Sequence, residues 1–153
     1  MTSAVAKNQV SQTVLAFDFG EKRIGVASGD LRFGMATPLT TLHAISNIDR
    51  LNAIAKLVQE WQPGLFVIGM PQFTHDDRPH PLQPQVKRFG NRLTENFKTG
   101  VHYVDERYSS LEAASMSTEK VRRSPKDGHL DAMAASVILQ SYFDSHIATD
   151  LKT

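Results

Sequence analysis

The spacing of five strand-length apolar runs constrains the fold of this chain more than any other feature of its sequence. Three runs, Thr13–Phe19 and residues 23–28 and 33–42, follow one another across short turns, which predicts an antiparallel meander. The runs Leu65–Met70 and Val101–Asp105 each follow a segment of helical periodicity. A strand that returns after a helix normally lies parallel to its neighbour, so the sheet is predicted to be mixed.

Four helical segments complete the element order βββ-α-β-α-β-α-α. Ser46 is the predicted N-cap of the first helix, and Ser109 with Glu112 forms a capping box for the third. Pro38 indicates a bend or an edge position in the third strand. We therefore expect an α/β fold with a mixed five-stranded sheet and helices on both faces. The helical segments cover about residues 46–61, 86–97, 109–122 and 126–145.

Length and composition exclude several classes of protein. The 153 residues make a single domain, expected over residues 13–147, with flexible tails at 1–12 and 148–153. The net charge of +1 excludes a histone-like polycation but leaves nucleic acid open as a partner through a local basic patch. The absence of cysteine excludes a disulfide framework, a zinc finger and a thiol nucleophile. Without a signal peptide or a membrane-length apolar run, the sequence predicts a cytoplasmic protein that does not bind membranes.

Acidic residues stand at three places where a buried core is expected. Asp18 interrupts the apolar segment VLAFDFG, and Asp105 and Glu106 end the fifth strand. Asp131 shares one helical stripe with the apolar residues four, seven and eleven positions later, which points it towards the sheet. Carboxylates that meet at neighbouring strand ends repel one another unless a divalent cation neutralises them. Oxygen ligands alone suit Mg²⁺ or Mn²⁺.

Each acidic position also has a purely structural interpretation. Asp18 is able to cap the turn that follows it, and Asp105 and Glu106 are able to form surface ion pairs with Arg107. Asp131 lies beyond the first turn of the predicted last helix, where interaction with the helix dipole fades. These interpretations stay open for each residue alone, and the conjunction of the three places favours a metal site.

Four segments of the chain, LAFDFGEKRIGVA, FVIGMP, VHYVDERYSSLEA and HLDAMAASVILQSYFD, resemble the YqgF/RuvX family. The resemblance covers about residues 14–144 in the family's order. The family is described as Holliday-junction-resolvase-like and as a pre-16S rRNA nuclease. The resemblance therefore implies a ribonuclease-H-like fold and a metal-dependent endonuclease that matures the 5′ end of 16S rRNA precursors. It implies Asp18, Glu106 and Asp131 as catalytic and metal-binding residues, with Asp105 as a further candidate ligand.

The resemblance extends to glycine, proline and basic residues of the same motifs. The matching positions are Gly20, Lys22, Arg23, Gly25, Gly69, Pro71 and Arg107. In the implied mechanism, a pair of Mg²⁺ or Mn²⁺ ions clamps the attacking and leaving oxygens of a phosphodiester. Contacts to phosphate or nucleic acid are assigned to Lys22, Arg23, Arg107, Lys120, Arg122, Arg123 and Lys126. Lys87, Arg88 and Arg92 are expected only to solvate a helix face.

Two segments depart from the family pattern where nucleic acid is expected to bind. The segment 71–84 is rich in proline and histidine, and the basic stretch EKVRRSPKDGH is shorter than usual. His75 and His80 lie near acidic residues in the first segment but lack regular metal-ligand spacing. The substrate therefore stays open between structured RNA, including precursor rRNA in pre-ribosomal particles, and branched DNA. Junction cleavage requires a homodimer, whereas RNA trimming is possible for a monomer.

Other functions also remain open at the level of sequence. One is a Holliday-junction or other structured-DNA resolvase, and another is an RNA-binding module that has the fold without the activity. A third is an ATPase domain of the actin and Hsp70 class, whose first hairpin carries a similar turn. The length of 153 residues disfavours that class, because its members need two related domains around the nucleotide.

Overall fold

Five strands make up one sheet in the part of the chain that the structure, a computed structural model, describes: residues 11–43, 46–72, 80–106 and 129–152. The strands are β1 (Thr13–Phe19), β2 (Arg23–Asp30), β3 (Met35–His43), β4 (Leu65–Met70) and β5 (Val101–Asp105). Their order in the sheet is β3-β2-β1-β4-β5. The pairs β1–β2 and β2–β3 are antiparallel, and β1–β4 and β4–β5 are parallel. The predicted mixed sheet is confirmed.

The turn between β2 and β3 differs from the sequence-based prediction. β2 continues to Asp30 rather than to residue 28, and β3 begins at Met35 rather than at Phe33. The Asp30 carbonyl accepts hydrogen bonds from the amides of Phe33 and Gly34, and Gly34 adopts a φ of 65°. Phe33 therefore belongs to a tight turn, which its apolar side chain concealed in the sequence. β3 is an edge strand, as Pro38 indicated, and carries an irregularity opposite Val26 and Ala27.

Three helices of the described residues pack on the sheet: α1 (Asn47–Trp61), α2 (Gln83–Phe97) and α3 (His129–Lys152). Ser46 is the N-cap of α1, as predicted, and its hydroxyl accepts a hydrogen bond from the Asp49 amide at 3.1 Å. α3 continues past the predicted end near residue 145, because neither glycine nor proline follows to stop it. The helix predicted over residues 109–122 lies outside the described residues.

Two apolar cores lie on opposite faces of the sheet. Leu15 and Phe17 of β1 face a core that α1 and α2 complete, whereas Val14 and Ala16 face a core completed by α3. This alternation follows from the period of two in a strand, and it buries β1 on both faces. The fold therefore places any polar side chain at the end of β1 between large apolar layers.

The described residues before β1 also contact the body of the protein. The Ser11 hydroxyl donates to the Gln62 carbonyl at 2.7 Å, and the Gln12 carbonyl accepts from the Leu31 amide at 2.9 Å. Ser11 and Gln12 are the last two residues of the predicted flexible tail, of which residues 1–10 lie outside the described part. None of the described helices has the length and apolar character needed to cross a membrane.

Candidate active site

Asp18 lies at the carboxyl end of the central strand β1, on the face that α3 covers. Val14 and Ala16, at alternating positions before it, are buried against α3. Phe17 pairs with Ile68 of β4, so that Asp18 and Gly69 follow at the next position of the two parallel strands. The end of β1 therefore points Asp18 towards the ends of β4 and β5.

Glu106 reaches Asp18 from the end of β5 because the intervening strand carries a glycine. The Glu106 amide donates to the Met70 carbonyl at 3.1 Å, which extends the β4–β5 pairing by one residue. A Cβ atom on Gly69 would lie 3.1 Å from Cδ of Glu106. Gly69 thus leaves the space through which the Glu106 carboxyl group passes over β4.

Asp105 does not share this arrangement. It pairs with Met70, whose side chain belongs to the core beneath α1 and α2. Strand alternation turns Asp105 towards that face and Glu106 towards α3. The charges that act on Asp18 come from Glu106 and Asp131. Of the other predicted acidic residues, Glu106 and Asp131 are thus near enough to Asp18 to raise its pKa.

Asp131 is placed by the close approach of α3 to a second glycine. Gly25 of β2 pairs with Asp18, and a Cβ atom on Gly25 would overlap the backbone carbonyl of Asp131. The first turn of α3 therefore rests directly on the sheet beside Asp18. As predicted from the helical stripe, Ala135, Ile138 and Tyr142 are buried on the same side of α3.

The electrostatics of Asp18 show that the three acidic groups are close. Its pKa is raised well above the usual 3.8, first by desolvation, then by a hydrogen bond to Glu106 and by the charges of Glu106 and Asp131. A hydrogen bond between two carboxyl groups requires a proton on one of them. The proximity of Glu106 and Asp131 and the burial of Asp18 therefore favour the protonated form of Asp18.

The side chain of Asp131 points towards the guanidinium of Arg23. Its Oδ2 atom lies 3.3 Å from Nε of Arg23 in an ion pair, yet this oxygen is shielded from solvent and accepts no hydrogen bond from the described residues. With the side chains so arranged, no three acidic or histidine residues of the described part are positioned together to hold a metal ion. The chemistry of the donors nevertheless fits one, because they are carboxylate oxygens whose charges repel one another, and Oδ2 of Asp131 is buried with no hydrogen bond from the described residues.

A cavity of about 680 Å³ opens beside Asp131. Its other lining residues come from the β1–β2 turn and the end of β3, and they are Gly20, Glu21, Lys22, Arg23 and His43. Lys22 and Arg23, predicted to bind phosphate, thus line one pocket with a predicted metal ligand. Sequence reasoning missed His43, although the antiparallel pairing of Arg23 with His43 follows from extending the meander to its end.

Comparison with known proteins assigns the chain to a family. Residues 12–145 match a family model described as RuvX: Holliday junction resolvase. The chain belongs to the RuvX family. One RuvX relative, named "Putative pre-16S rRNA nuclease" in Dechloromonas aromatica, is 51% identical over 135 residues, or 87% of this chain and 91% of the relative. Another of the same name in Neisseria meningitidis is 47% identical over 133 residues, or 86% of this chain and 87% of the relative.

Solved structures confirm the ribonuclease-H-like fold of this RuvX chain. Thermus thermophilus RuvC in complex with a Holliday junction substrate superposes with a TM-score of 0.54 at 19% identity, covering 90% of this chain and 97% of RuvC. The fowlpox virus resolvase in complex with junction DNA gives a TM-score of 0.52 at 15% identity, with coverage of 88% and 99%. At such low identity the likeness shows the shared fold.

Gly20 and Pro71, which the resemblance implied for this RuvX chain, have structural functions in the backbone. A Cβ atom on Gly20 would lie 2.6 Å from the Arg23 carbonyl oxygen, so the β1–β2 turn requires glycine there. The Pro71 carbonyl accepts a hydrogen bond from the Gln83 side chain at 2.8 Å, which fixes the chain after β4. Other predicted residues lie outside the described part and stay predictions: Arg107, Lys120, Arg122, Arg123 and Lys126.

Proposed function

We propose that this chain is a cytoplasmic, metal-dependent endonuclease that hydrolyses phosphodiester bonds in precursor rRNA, at the 5′ end of pre-16S rRNA. The observation that carries the proposal is the cluster of Asp18, Glu106 and Asp131, in which burial and mutual repulsion raise the pKa of Asp18. Ribosomal RNA is favoured as the substrate because RuvX relatives that are 51% and 47% identical are named for pre-16S rRNA.

The three carboxylates are the proposed holders of Mg²⁺ or Mn²⁺. The pKa of Asp18 responds to both of the other carboxyl groups, and all three residues would supply carboxylate oxygens to a bound cation. When bound, the ions would activate a water molecule and neutralise charge on the phosphate in the transition state. Cations bind the ionised form of a carboxylate, so the raised pKa of Asp18 would oppose cation binding as the pH falls.

Basic residues of the β1–β2 turn are proposed to hold the substrate. Lys22 is exposed and Arg23 is half-buried in the cavity beside Asp131. Arginine binds phosphate oxygens through two parallel N–H groups, and lysine binds them as a point charge. A phosphodiester in this cavity would therefore lie next to Asp131, one of the three proposed metal ligands.

A cleavage panel tests the proposal. Fragments that span the 5′ end of pre-16S rRNA, four-way DNA junctions and unstructured RNA of equal length are incubated with the protein and Mn²⁺, Mg²⁺ or a chelator. Asp18→Asn removes the central carboxylate at nearly constant volume. Asp144→Asn is a matched control, because Asp144 is exposed on the same helix as Asp131, thirteen residues or about 20 Å further along.

We expect metal-dependent cleavage of the pre-16S fragments by the wild type and by Asp144→Asn, and none by Asp18→Asn. Cleavage by Asp18→Asn at the wild-type rate would contradict the assignment of the site. Preferential cutting of four-way junctions would identify a resolvase instead, and gel filtration would then be expected to give a dimer. Binding of RNA without cleavage under any metal condition would identify a non-catalytic binding module.

A further inference from the structure

Arg23 occupies a position between the two kinds of group that a nuclease site must bring together. Its Nε atom lies 3.3 Å from Oδ2 of Asp131, and the two side chains are 40% and 22% exposed. The same arginine lines the cavity beside Asp131, together with Lys22 and His43. Arg23 therefore contacts a predicted metal ligand from the side on which a phosphate would bind.

The ion pair between Arg23 and Asp131 competes with a divalent cation for the Asp131 carboxylate. Within the part of the chain that the structure describes, Asp131 Oδ2 is shielded from solvent and accepts no hydrogen bond, so Arg23 balances its charge without donating a hydrogen bond to it. In the described residues, Asp131 does not join Asp18 and Glu106 in a group of three that could hold an ion. A cation that recruits Asp131 has to displace the guanidinium of Arg23, and this displacement lowers its affinity.

A phosphate in the cavity provides an alternative partner for the arginine. A guanidinium matches the geometry of two phosphate oxygens, whereas its present contact with Asp131 is made through Nε at 3.3 Å without a hydrogen bond. A partly exposed ion pair between side chains is weak, so a phosphate is able to compete with Asp131 for the guanidinium.

We propose that Arg23 is a positioning residue with two alternative partners: it holds Asp131 in the absence of nucleic acid and moves to a substrate phosphate in the cavity, which releases Asp131 towards Asp18 and Glu106. This inference rests on the proposed nuclease function. It makes the binding of nucleic acid and of the divalent cation mutually favourable, because each removes the partner that competes with the other. The metal site is then completed only when a substrate strand lies against it.

Two binding measurements without cleavage test the proposal. Mn²⁺ affinity is measured by isothermal titration calorimetry in the absence of nucleic acid. Affinity for a fluorescent RNA hairpin is measured by anisotropy in the presence of a chelator, where metal-dependent hydrolysis cannot occur. The variants are Arg23→Gln and Lys22→Gln, which remove the same charge from adjacent positions of one turn. Lys22 is the matched control, since both residues line the cavity and only Arg23 is paired with Asp131.

Arg23→Gln is expected to bind Mn²⁺ about fivefold or more tightly than the wild type, the lower range of typical coupling between sites. The same variant is expected to bind the RNA hairpin more weakly. Lys22→Gln is expected to weaken RNA binding with a smaller gain in Mn²⁺ affinity, which measures the general effect of removing one charge. Thermal unfolding midpoints close to that of the wild type would show that both variants are folded.

Equal Mn²⁺ affinities for Arg23→Gln and Lys22→Gln would overturn the role of Arg23 and leave the nuclease proposal intact. Weaker Mn²⁺ binding by Arg23→Gln would overturn it as well, because the arginine would then support the metal site. Failure of the wild type to bind Mn²⁺ even with RNA present would overturn both the inference and the proposed function.

Discussion

Replacement of Gly69 by alanine separates the stability of the fold from the assembly of the site. The new Cβ atom would lie 2.5 Å from Cδ1 of Ile138 and 3.1 Å from Cδ of Glu106. Carbon atoms pack at about 3.5–4.0 Å, so the Ile138 side chain has to retreat by about 1 Å and Glu106 by less. Overpacking of this kind costs about 1–3 kcal/mol. The preference of a strand for alanine over glycine offsets about 0.5–1 kcal/mol of that cost.

We therefore expect Gly69→Ala to lower the free energy of unfolding, measured with urea, by about 1–2 kcal/mol and to remove most of the cleavage activity. Ile138→Val removes the atom nearest to the new methyl group and by itself costs about 0.5–1.5 kcal/mol. The double variant should lose less free energy of unfolding than the two single variants lose together, because the closest contact of the new methyl group has been removed. Activity should stay low, because the methyl group still displaces Glu106. Full activity in Gly69→Ala, or its recovery on adding Ile138→Val, would refute the reasoning.

Two further predictions concern Asp18 and Gly25. Because the pKa of Asp18 is raised in the folded protein, its ionisation opposes folding, so the metal-free wild type should lose stability as pH rises from 3.8 through that raised pKa. Asp18→Asn should lack this loss and be the more stable protein at neutral pH. If the free energy of unfolding of the two proteins depends on pH in the same way, the charge of Asp18 is not buried. Gly25→Ala places a methyl group against the Asp131 carbonyl, so α3 must shift. We expect the free energy of unfolding to fall by about 2–3 kcal/mol and the cleavage activity to be lost. If Gly25→Ala unfolds at the same urea concentration as the wild type and cleaves at the same rate, α3 does not rest on β2 as described.

The strands and the inward position of Asp131 were predictable because periodicity reports directly on burial. β4 and β5 have the predicted bounds, and Ala135 and Ile138 of the Asp131 stripe are fully buried. These properties depend on local patterns of two or 3.6 residues, which a single sequence contains.

The contacts that organise the site were not predictable in the same way. Gly25 and Gly69 could be matched to family motifs, but their function is to admit the Asp131 backbone and the Glu106 carboxyl group. That function depends on which elements meet across the sheet. The pairing of Arg23 with Asp131 joins residues 108 positions apart, and no spacing rule reports it. The pairing of Asp105 with Met70 is likewise a matter of strand register, which the sequence alone does not report.

The most direct test of the account is to locate manganese in crystals of the protein grown with Mn²⁺ and a short RNA, using the anomalous scattering of the ion. The account predicts an anomalous peak bound by carboxylate oxygens of Asp18 and Glu106, with Asp131 turned away from Arg23 to join them. The same crystals of Asp18→Asn should lack the peak. Manganese bound elsewhere, or an unchanged Arg23–Asp131 pair beside an occupied site, would contradict the account.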